Sequence, residues 1–305
     1  MRIVCAGEAM IELVPTGTES EYRRSFAGDT FNTSWYLARL QPDWSVDYLT
    51  TVGRDTLSES LCRFARNEGI GTGHIGRHET RSLGLYLIEL HNGERSFQYW
   101  REHSAARLLA DHPDALAAAF ANADLIYFSG ITLAILEEAA REQFFSALES
   151  AKSDGARIAF DPNLRPRLWR NLDEMRLVIM NGAQMADLVL PSFDEEAHSF
   201  GDANPNATIA RYQSAGVKTV IVKNGAGPIH FACDDTQGRI VSDIVTNVVD
   251  TTAAGDSFNA AFIAAHLTGT GLRCAIKAGC GLSGQVIRYR GALVEPAPND
   301  HDRAK

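Results

Sequence analysis

The sequence predicts an α/β fold: a three-layer sandwich with a mostly parallel central sheet, helices on both faces and a small β-sheet beside it. Three observations carry this expectation. Short apolar runs of strand length alternate along the chain with stretches whose apolar residues recur at helical spacing. That rhythm breaks at residues 83–100, where two runs flank Asn92-Gly93, the strongest short hairpin signal. At 305 residues, 45% hydrophobic and 22% charged, the chain has the length and composition of an ordinary globular protein. We read 1–305 as one domain, with the small sheet formed by about 10–26 and 83–101.

The elements follow in order. Residues 2–13 read as a buried strand running into a more polar one, and 15–24 are turn-rich and charged. Phe31, Trp35 and Ala38 share a helical face behind Ala27-Gly28-Asp29-Thr30, where Asp29 or Thr30 could cap the helix. Residues 46–52 form a strand, and Leu57, Leu61, Phe64 and Ala65 mark a helix that Gly69 ends. The hairpin places Tyr99 and Arg101 on one face and Trp100 on the other, in the small sheet's own core. Residues 125–128 and 157–160 look like buried strands on either side of a helix at about 133–152. Strands at 188–190 and 219–222 follow, with helices at about 172–186, 194–200 and 205–215. Residues 240–249, rich in Val and Ile, read as a strand, and 258–267 and 272–288 as two closing helices. The tail from Pro296 is polar and is expected to fray.

Composition excludes several functions. Net charge is −9 with no Lys/Arg cluster longer than a pair, so a nucleic-acid surface is not expected and any phosphate site must be local. No apolar run approaches the ~18 residues of a membrane span, and the N-terminus does not read as a signal peptide, so the expected location is the cytoplasm. The five cysteines are scattered without CxxC spacing and read as free thiols. The nine histidines show no HExxH pattern. Gly279-Cys280-Gly281-Leu282-Ser283-Gly284 fits GxGxxG literally, but it lies inside a helical pattern with no strand before it. Packing between two helices is the better account of those glycines.

The chemistry concentrates at Val249-Asp250-Thr251-Thr252-Ala253-Ala254-Gly255-Asp256-Ser257-Phe258. A helix begins near Gly255, and small residues at a helix start leave unpaired N–H groups at the positive end of the dipole. Such a turn holds an anion without a basic side chain. Asp256 at the same turn is either a helix cap or a base that takes a hydroxyl proton while the N–H groups hold a phosphoryl group.

This stretch resembles the C-terminal signature of the ribokinase-like (PfkB-type) carbohydrate kinases, and its Ala253 is similar to the variant found in the 2-keto-3-deoxygluconate kinases. The likeness runs from Ala6-Gly7-Glu8 to Arg290-Gly291-Ala292, and it makes the small β-sheet a lid. It implies an ATP-dependent sugar-acid kinase with Asp256 as base and Ala253, Ala254 and Gly255 supplying the anion turn. Ala27-Gly28-Asp29-Thr30-Phe31-Asn32 resembles the family's sugar-binding motif, which implies Gly28, Asp29 and Asn32 at the sugar. Tyr86, Tyr99 and Arg101 carry over as ligands of the ketodeoxy acid.

Asp161-Pro162-Asn163-Leu164-Arg165 follows a buried strand, so this loop faces the cleft of an open α/β sheet. An arginine fork there suits a carboxylate or phosphate. The resemblance sends Arg165 to the acid substrate and sets Asn163 and Arg165 beside the triphosphate. Pro191-Ser192-Phe193-Asp194-Glu195 matches the family's Asn-x-x-Glu site with Ser192 in place of Asn, which implies Glu195 as the Mg²⁺ helper through water; Glu196 is close enough to be confused with it. Lys223-Asn224-Gly225-Ala226-Gly227 resembles the turn lining the ATP site, with Lys223 near the phosphates and Gly225 and Gly227 giving backbone contacts. The family also implies a monovalent cation such as K⁺ near Asp250 and Thr252, and a homo-oligomer. A neutral-sugar kinase is the rival within the class; a sensor of nucleotide or sugar that has lost catalysis is the rival outside it.

Overall fold

Strands buried on both faces carry near-continuous apolar runs, and such runs make the middle of this sheet. The computed structural model describes residues 1–18, 20–91, 94–234 and 236–295. The chain opens with β1 (Arg2–Ala6), β2 (Met10–Pro15), β3 (Tyr22–Ala27), α1 (Asp29–Leu40), β4 (Ser45–Val52) and α2 (Thr56–Asn67). Short strands β5 (Ile70–Gly71) and β6 (Ile75–Arg77) lead to the hairpin of β7 (Leu85–His91) and β8 (Glu94–Trp100). Next come α3 (Pro113–Phe120), β9 (Leu125–Ser129), α4 (Gly130–Ile135), α5 (Glu138–Ser153), β10 (Arg157–Asp161) and α6 (Leu172–Met185). The last part holds β11 (Leu188–Val189), α7 (Phe193–Phe200), α8 (Pro205–Ser214), β12 (Thr219–Val222), β13 (Ile229–Cys233), β14 (Thr236–Ile240), α9 (Ala254–Leu267) and α10 (Leu272–Val286).

Among the described residues ten strands form the main sheet, in the order β14-β13-β12-β11-β10-β9-β1-β4-β5 with β6 also on β4. Pairing is parallel from β5 to β12 and antiparallel only at the β13–β14 edge. Strand alternation divides the core. Val4, Ala6, Ile126, Phe128, Ile158, Phe160 and Val220 pack with α3 to α6 and α8 on one face. Ile3, Cys5, Leu125, Tyr127, Ala159 and Ile221 pack with α1, α2, α9 and α10 on the other. The lid is a separate four-stranded sheet, β3-β2-β7-β8, over a small cluster of Met10, Ala27, Tyr86, Ile88 and Ala292.

Several expectations change. The stretch 241–249 carries no regular strand: β14 ends at Ile240, and Val241, Ile244, Val248 and Val249 are 51–74% exposed. Its Val-rich pattern has no neighbouring strand to pair with, and β-propensity without a partner does not make a strand. The single helix expected at 133–152 is two, because Leu136 and Glu137 take extended backbone angles between α4 and α5. Trp100 is 56% exposed and not in a lid core, since β8 is the outer strand of its sheet. The Asn92-Gly93 turn and the tail from Pro296 lie outside the described residues, although His91 pairs with Glu94 across that two-residue connection. All five cysteines are free.

β1 connects first to β4 on one side, and β9 then joins it on the other, so the strand order reverses at β1. Ligands in such sheets bind beyond the C-terminal strand ends at that reversal. There the structure gathers Glu8, Asp161, Ser192 and Lys223, at or just after the ends of β1, β10, β11 and β12.

Candidate active site

Helix α9 starts one residue earlier than the sequence suggests, at Ala254, with Ala253 as its N-cap in the left-handed region at φ 58°. No side chain caps this helix, and Ala254 donates to Thr251 O while Ser257 donates to Ala253 O. Among the described residues the N–H groups of Gly255 and Asp256 have no acceptor. They point from the positive end of the dipole toward open space. Capping is therefore not what Asp256 does.

The Asp256 carboxylate instead accepts from Asn32 Nδ2 at 2.8 Å, and Thr33 Oγ1 donates to Asp256 O at 3.3 Å. Asn32 is itself oriented by Gly28, whose N–H donates to Asn32 Oδ1 at 3.3 Å. A Cβ on Gly28 would lie 2.1 Å from Glu8 O, so only glycine lets α1 start against the loop after β1. Gly28, and not Asp29 or Thr30, is the N-cap. Asp29 accepts from Thr30 N at 2.8 Å and from Asn163 Nδ2 at 2.7 Å. Burial, and then the carboxylates of Asp29 and Asp161, push the Asp256 carboxyl up to about 8 against the opposing pull of Asn32 and Lys223.

Two cavities meet at this turn. One, of about 540 Å³, is lined by Gly28, Asp29, Asn32, Tyr86, Tyr99 and Arg101 together with Asp250, Thr252 and Asp256. The other, of about 400 Å³, is lined by Ser192, Lys223, Gly225, Ala254, Gly255 and Phe258, with residues of α10 opposite. Val248 and Thr251 line both, so the segment that failed to be a strand is the partition between them.

On the lid side, Arg101 forms a buried ion pair with Glu8, and Tyr86 donates through its hydroxyl to Glu12 at 2.5 Å. Tyr86 is thus occupied and offers its ring, tilted 34° to that of Tyr99 at 5.7 Å between centres. Tyr99 is half-exposed, with Arg101 5.9 Å from its ring centre.

On the other side, Leu164 N and Arg165 Nη1 both donate to Glu195, at 3.0 and 2.5 Å. Arg165 does not line the larger cavity. The neighbouring Glu196 is fully buried in an ion pair with Arg211 at 2.6 Å and accepts from Tyr212 at 2.8 Å. Burial pushes its carboxyl up to about 7 despite those partners. The confusion between the two acids resolves by burial: Glu195 faces the loop 161–165, and Glu196 holds α7 to α8. Gly225 adopts φ 52° in the second cavity, whereas Gly227 packs against Asn224 and does not line it. Asp250 is buried and accepts from Thr252 N, Thr252 Oγ1 and Gly291 N, which joins the turn to residue 291. Among the described residues no cluster of three or more His, Cys, Asp or Glu could hold a metal by itself.

Sequence reasoning missed Glu8, Glu12 and Asn259, which act on predicted residues from far along the chain. It also set aside the glycine run of α10. A Cβ on Gly279 would lie 2.8 Å from the Phe258 ring, the helix packing expected, yet Cys280, Ser283 and Gly284 line the second cavity.

Comparison with known proteins shows the family of the chain. The model of the pfkB family carbohydrate kinases matches residues 1–299. A 2-dehydro-3-deoxygluconokinase of Escherichia coli K12 is 38% identical over 96% of this chain and 97% of its own. That of Haemophilus influenzae is 36% identical over 98% of each. The crystal structure of a fructokinase from Xylella fastidiosa with bound ATP superposes with a TM-score of 0.82 at 24% identity, covering 95% of this chain and 93% of that one.

Proposed function

The chain belongs to the pfkB family of carbohydrate kinases, and we propose that it transfers the γ-phosphoryl group of ATP to the C6 hydroxyl of 2-keto-3-deoxygluconate. The observation that carries the reading is the meeting of two cavities at one helix N-terminus, with a carboxylate between them. In this reading the cavity under the lid takes the sugar acid and the cavity beside α10 takes ATP. The 36–38% identical relatives named for this reaction supply the substrate.

Asp256 accepts the proton of the C6 hydroxyl as its oxygen bonds to the γ-phosphorus. The bond from that phosphorus to the β–γ bridging oxygen breaks, and ADP leaves with the electron pair. A base whose carboxyl titrates near 8 is far stronger than an ordinary aspartate, which suits it to a hydroxyl proton. The free N–H groups of Gly255 and Asp256 stabilise charge on the transferring oxygens. Gly28 and Asn32 hold α1 against the sugar, Asp29 accepts from its hydroxyls, and Tyr86, Tyr99 and Arg101 close over it. Arg165 uses Nη1 for Glu195 and Leu164 O and does not line the sugar cavity, so its remaining N–H groups would reach the substrate carboxylate only after a side-chain movement. Ser192, Lys223 and Gly225 line the ATP side.

Mg²⁺ binds with one or two carboxylates plus phosphate oxygens and water, and Glu195 would supply the carboxylate. Both Glu195 oxygens already accept hydrogen bonds, which suits contact through water. When bound, Mg²⁺ neutralises phosphate charge. Asp250 and Thr252 would hold a monovalent cation. Self-association and a place in the cytoplasm come with the family likeness; among the described residues no helix is long and apolar enough to cross a membrane.

A neutral-sugar kinase is the second reading, and one observation favours it: Arg101 and Arg165 both already carry carboxylate partners. A coupled ADP-release assay against sugars and sugar acids decides. The highest kcat/KM is expected with 2-keto-3-deoxygluconate; a preference for fructose or ribose would establish the second reading.

A further inference from the structure

We propose that Asp161 is a positioning residue that ties the two cavities together, so that one buried carboxylate sets both the nucleotide side and the sugar side of the site. The proposal rests on the kinase reading above.

Asp161 ends β10 and is 4% exposed. Its Oδ2 accepts from Lys223 Nζ at 2.8 Å and from Asn259 Nδ2 at 2.6 Å, and its Oδ1 accepts from Asn163 N at 3.1 Å. These three donors come from the end of β12, from α9 and from the loop after β10. Each leads on to the site. Lys223 lines the nucleotide cavity, and its Nζ would lie 3.5 Å from a Cβ on Gly255. Asn259 sits three residues after Asp256 on α9, accepts from Lys223 Nζ at 3.2 Å and donates to Tyr127 OH at 3.0 Å.

Asn163 holds φ 36°, a left-handed conformation that asparagine tolerates better than most non-glycine residues. The bond from its N–H to Asp161 steadies it there. Its side-chain amide then donates to Asp29 in the sugar cavity at 2.7 Å. The path Lys223–Asp161–Asn163–Asp29 therefore runs from one cavity to the other through buried or nearly buried groups. Its centre must be an acceptor on both oxygens, and a carboxylate is the side chain that meets this demand. An amide would turn a donor toward one of the donors it faces.

The test is a cross effect. Lys223 does not line the sugar cavity, yet Lys223→Met should weaken binding of 2-keto-3-deoxygluconate to the nucleotide-free protein by about ten-fold, the loss of roughly one hydrogen bond to a charged group. Asp161→Asn should do the same. The double variant should bind no more weakly than Asp161→Asn alone, because both changes cut one path. The double variant also removes both buried charges, so it keeps the measurement open if Lys223→Met leaves Asp161 unpaired and does not fold.

A pH profile and a melt accompany the binding measurement. The charged and titratable groups facing Asp256 are Asp29 from α1, Asp161, Lys223 and the hydroxyls of Tyr36, Tyr86 and Tyr127. Removing Asp161's charge should move the acid limb of kcat/KM to lower pH, and removing Lys223's should move it higher, since both charges act on Asp256; a supporting role would lower the melting temperature and leave sugar-acid binding in Lys223→Met unchanged. Unchanged sugar-acid binding in Lys223→Met, or effects that multiply in the double variant, would overturn the proposal while leaving the kinase reading in place. A parent protein that binds neither 2-keto-3-deoxygluconate nor a non-hydrolysable ATP analogue overturns the kinase reading, and the tie falls with it.

Discussion

Arg165 donates through Nη1 to Glu195 across 2.5 Å, so the cleft arginine has a carboxylate partner before any substrate arrives. Its charge is partly answered, and what it adds to an acid substrate is hydrogen bonding from its other N–H groups. Arg165→Ala should raise KM for 2-keto-3-deoxygluconate by about ten-fold, the low end for bonds to a charged group, and change a neutral hexose much less. Arg165→Lys should recover part, because an ammonium cannot pair in two-pronged fashion. Comparing the acid-to-neutral ratio of kcat/KM in parent and variant checks this; an unchanged ratio favours the neutral-sugar kinase.

Asp256→Asn keeps the shape of the turn and removes the base. We expect kcat to fall ~10²–10⁴-fold while ATP binding, measured by calorimetry, survives. In the parent, kcat/KM should rise with pH through about 8 as the base loses its proton.

The same carboxyl has an effect on stability that runs the other way. An unfolded chain titrates its Asp near 3.9, so between that pH and about 8 the folded protein binds more protons. This group's contribution is full at acid pH and is lost as pH rises through about 8. The melting temperature of Asp256→Asn should therefore gain on the parent between these limits, a trend that scans at several pH values would reveal.

Gly255 and Ala253 flank the same turn with opposite constraints. A Cβ at 255 would meet nothing nearer than Lys223 Nζ at 3.5 Å, so Gly255→Ala should fold as well as the parent. Its methyl would crowd the approaching phosphate, and loss of one good anion contact costs on the order of 10²-fold in kcat. Ala253 pays strain at φ 58°. Ala253→Gly should relieve it and raise stability by up to about 1 kcal/mol after the entropy of the added glycine. Thermal melts and turnover measured together separate these two effects.

Adjacent acids on α7 should separate as cleanly. Glu196→Ala would leave the buried Tyr212 hydroxyl without its acceptor and Arg211 with Asp202 alone, and cost about 1–3 kcal/mol of stability. Glu195→Ala should leave the melt nearly unchanged and weaken the Mg²⁺ dependence of turnover. Reversal of that pattern would move the metal role to Glu196.

Much of this molecule could be read from local sequence. The expected strands at 46–52, 125–128, 157–160 and 219–222 appear nearly as predicted, because burial on both faces demands continuous apolar runs and helices demand their own period. The small residues before Asp256 and the glycine at 28 also announce themselves, since a free helix N-terminus and a close backbone approach need particular residue types at fixed spacing. Pairing is another matter. Residues 240–249 look like a strand by composition, but beyond Ile240 no neighbour offers them a ladder, and they serve as a cavity wall. Glu8 and Arg101 stand 93 positions apart, and Asn32 and Asp256 stand 224 apart. No local pattern records which carboxylate faces which donor. The fold brings Asp29, Asp161 and Asp256 near one another, and burial together with mutual repulsion then gives Asp256 its high pKa, a property of the tertiary arrangement that no one segment contains.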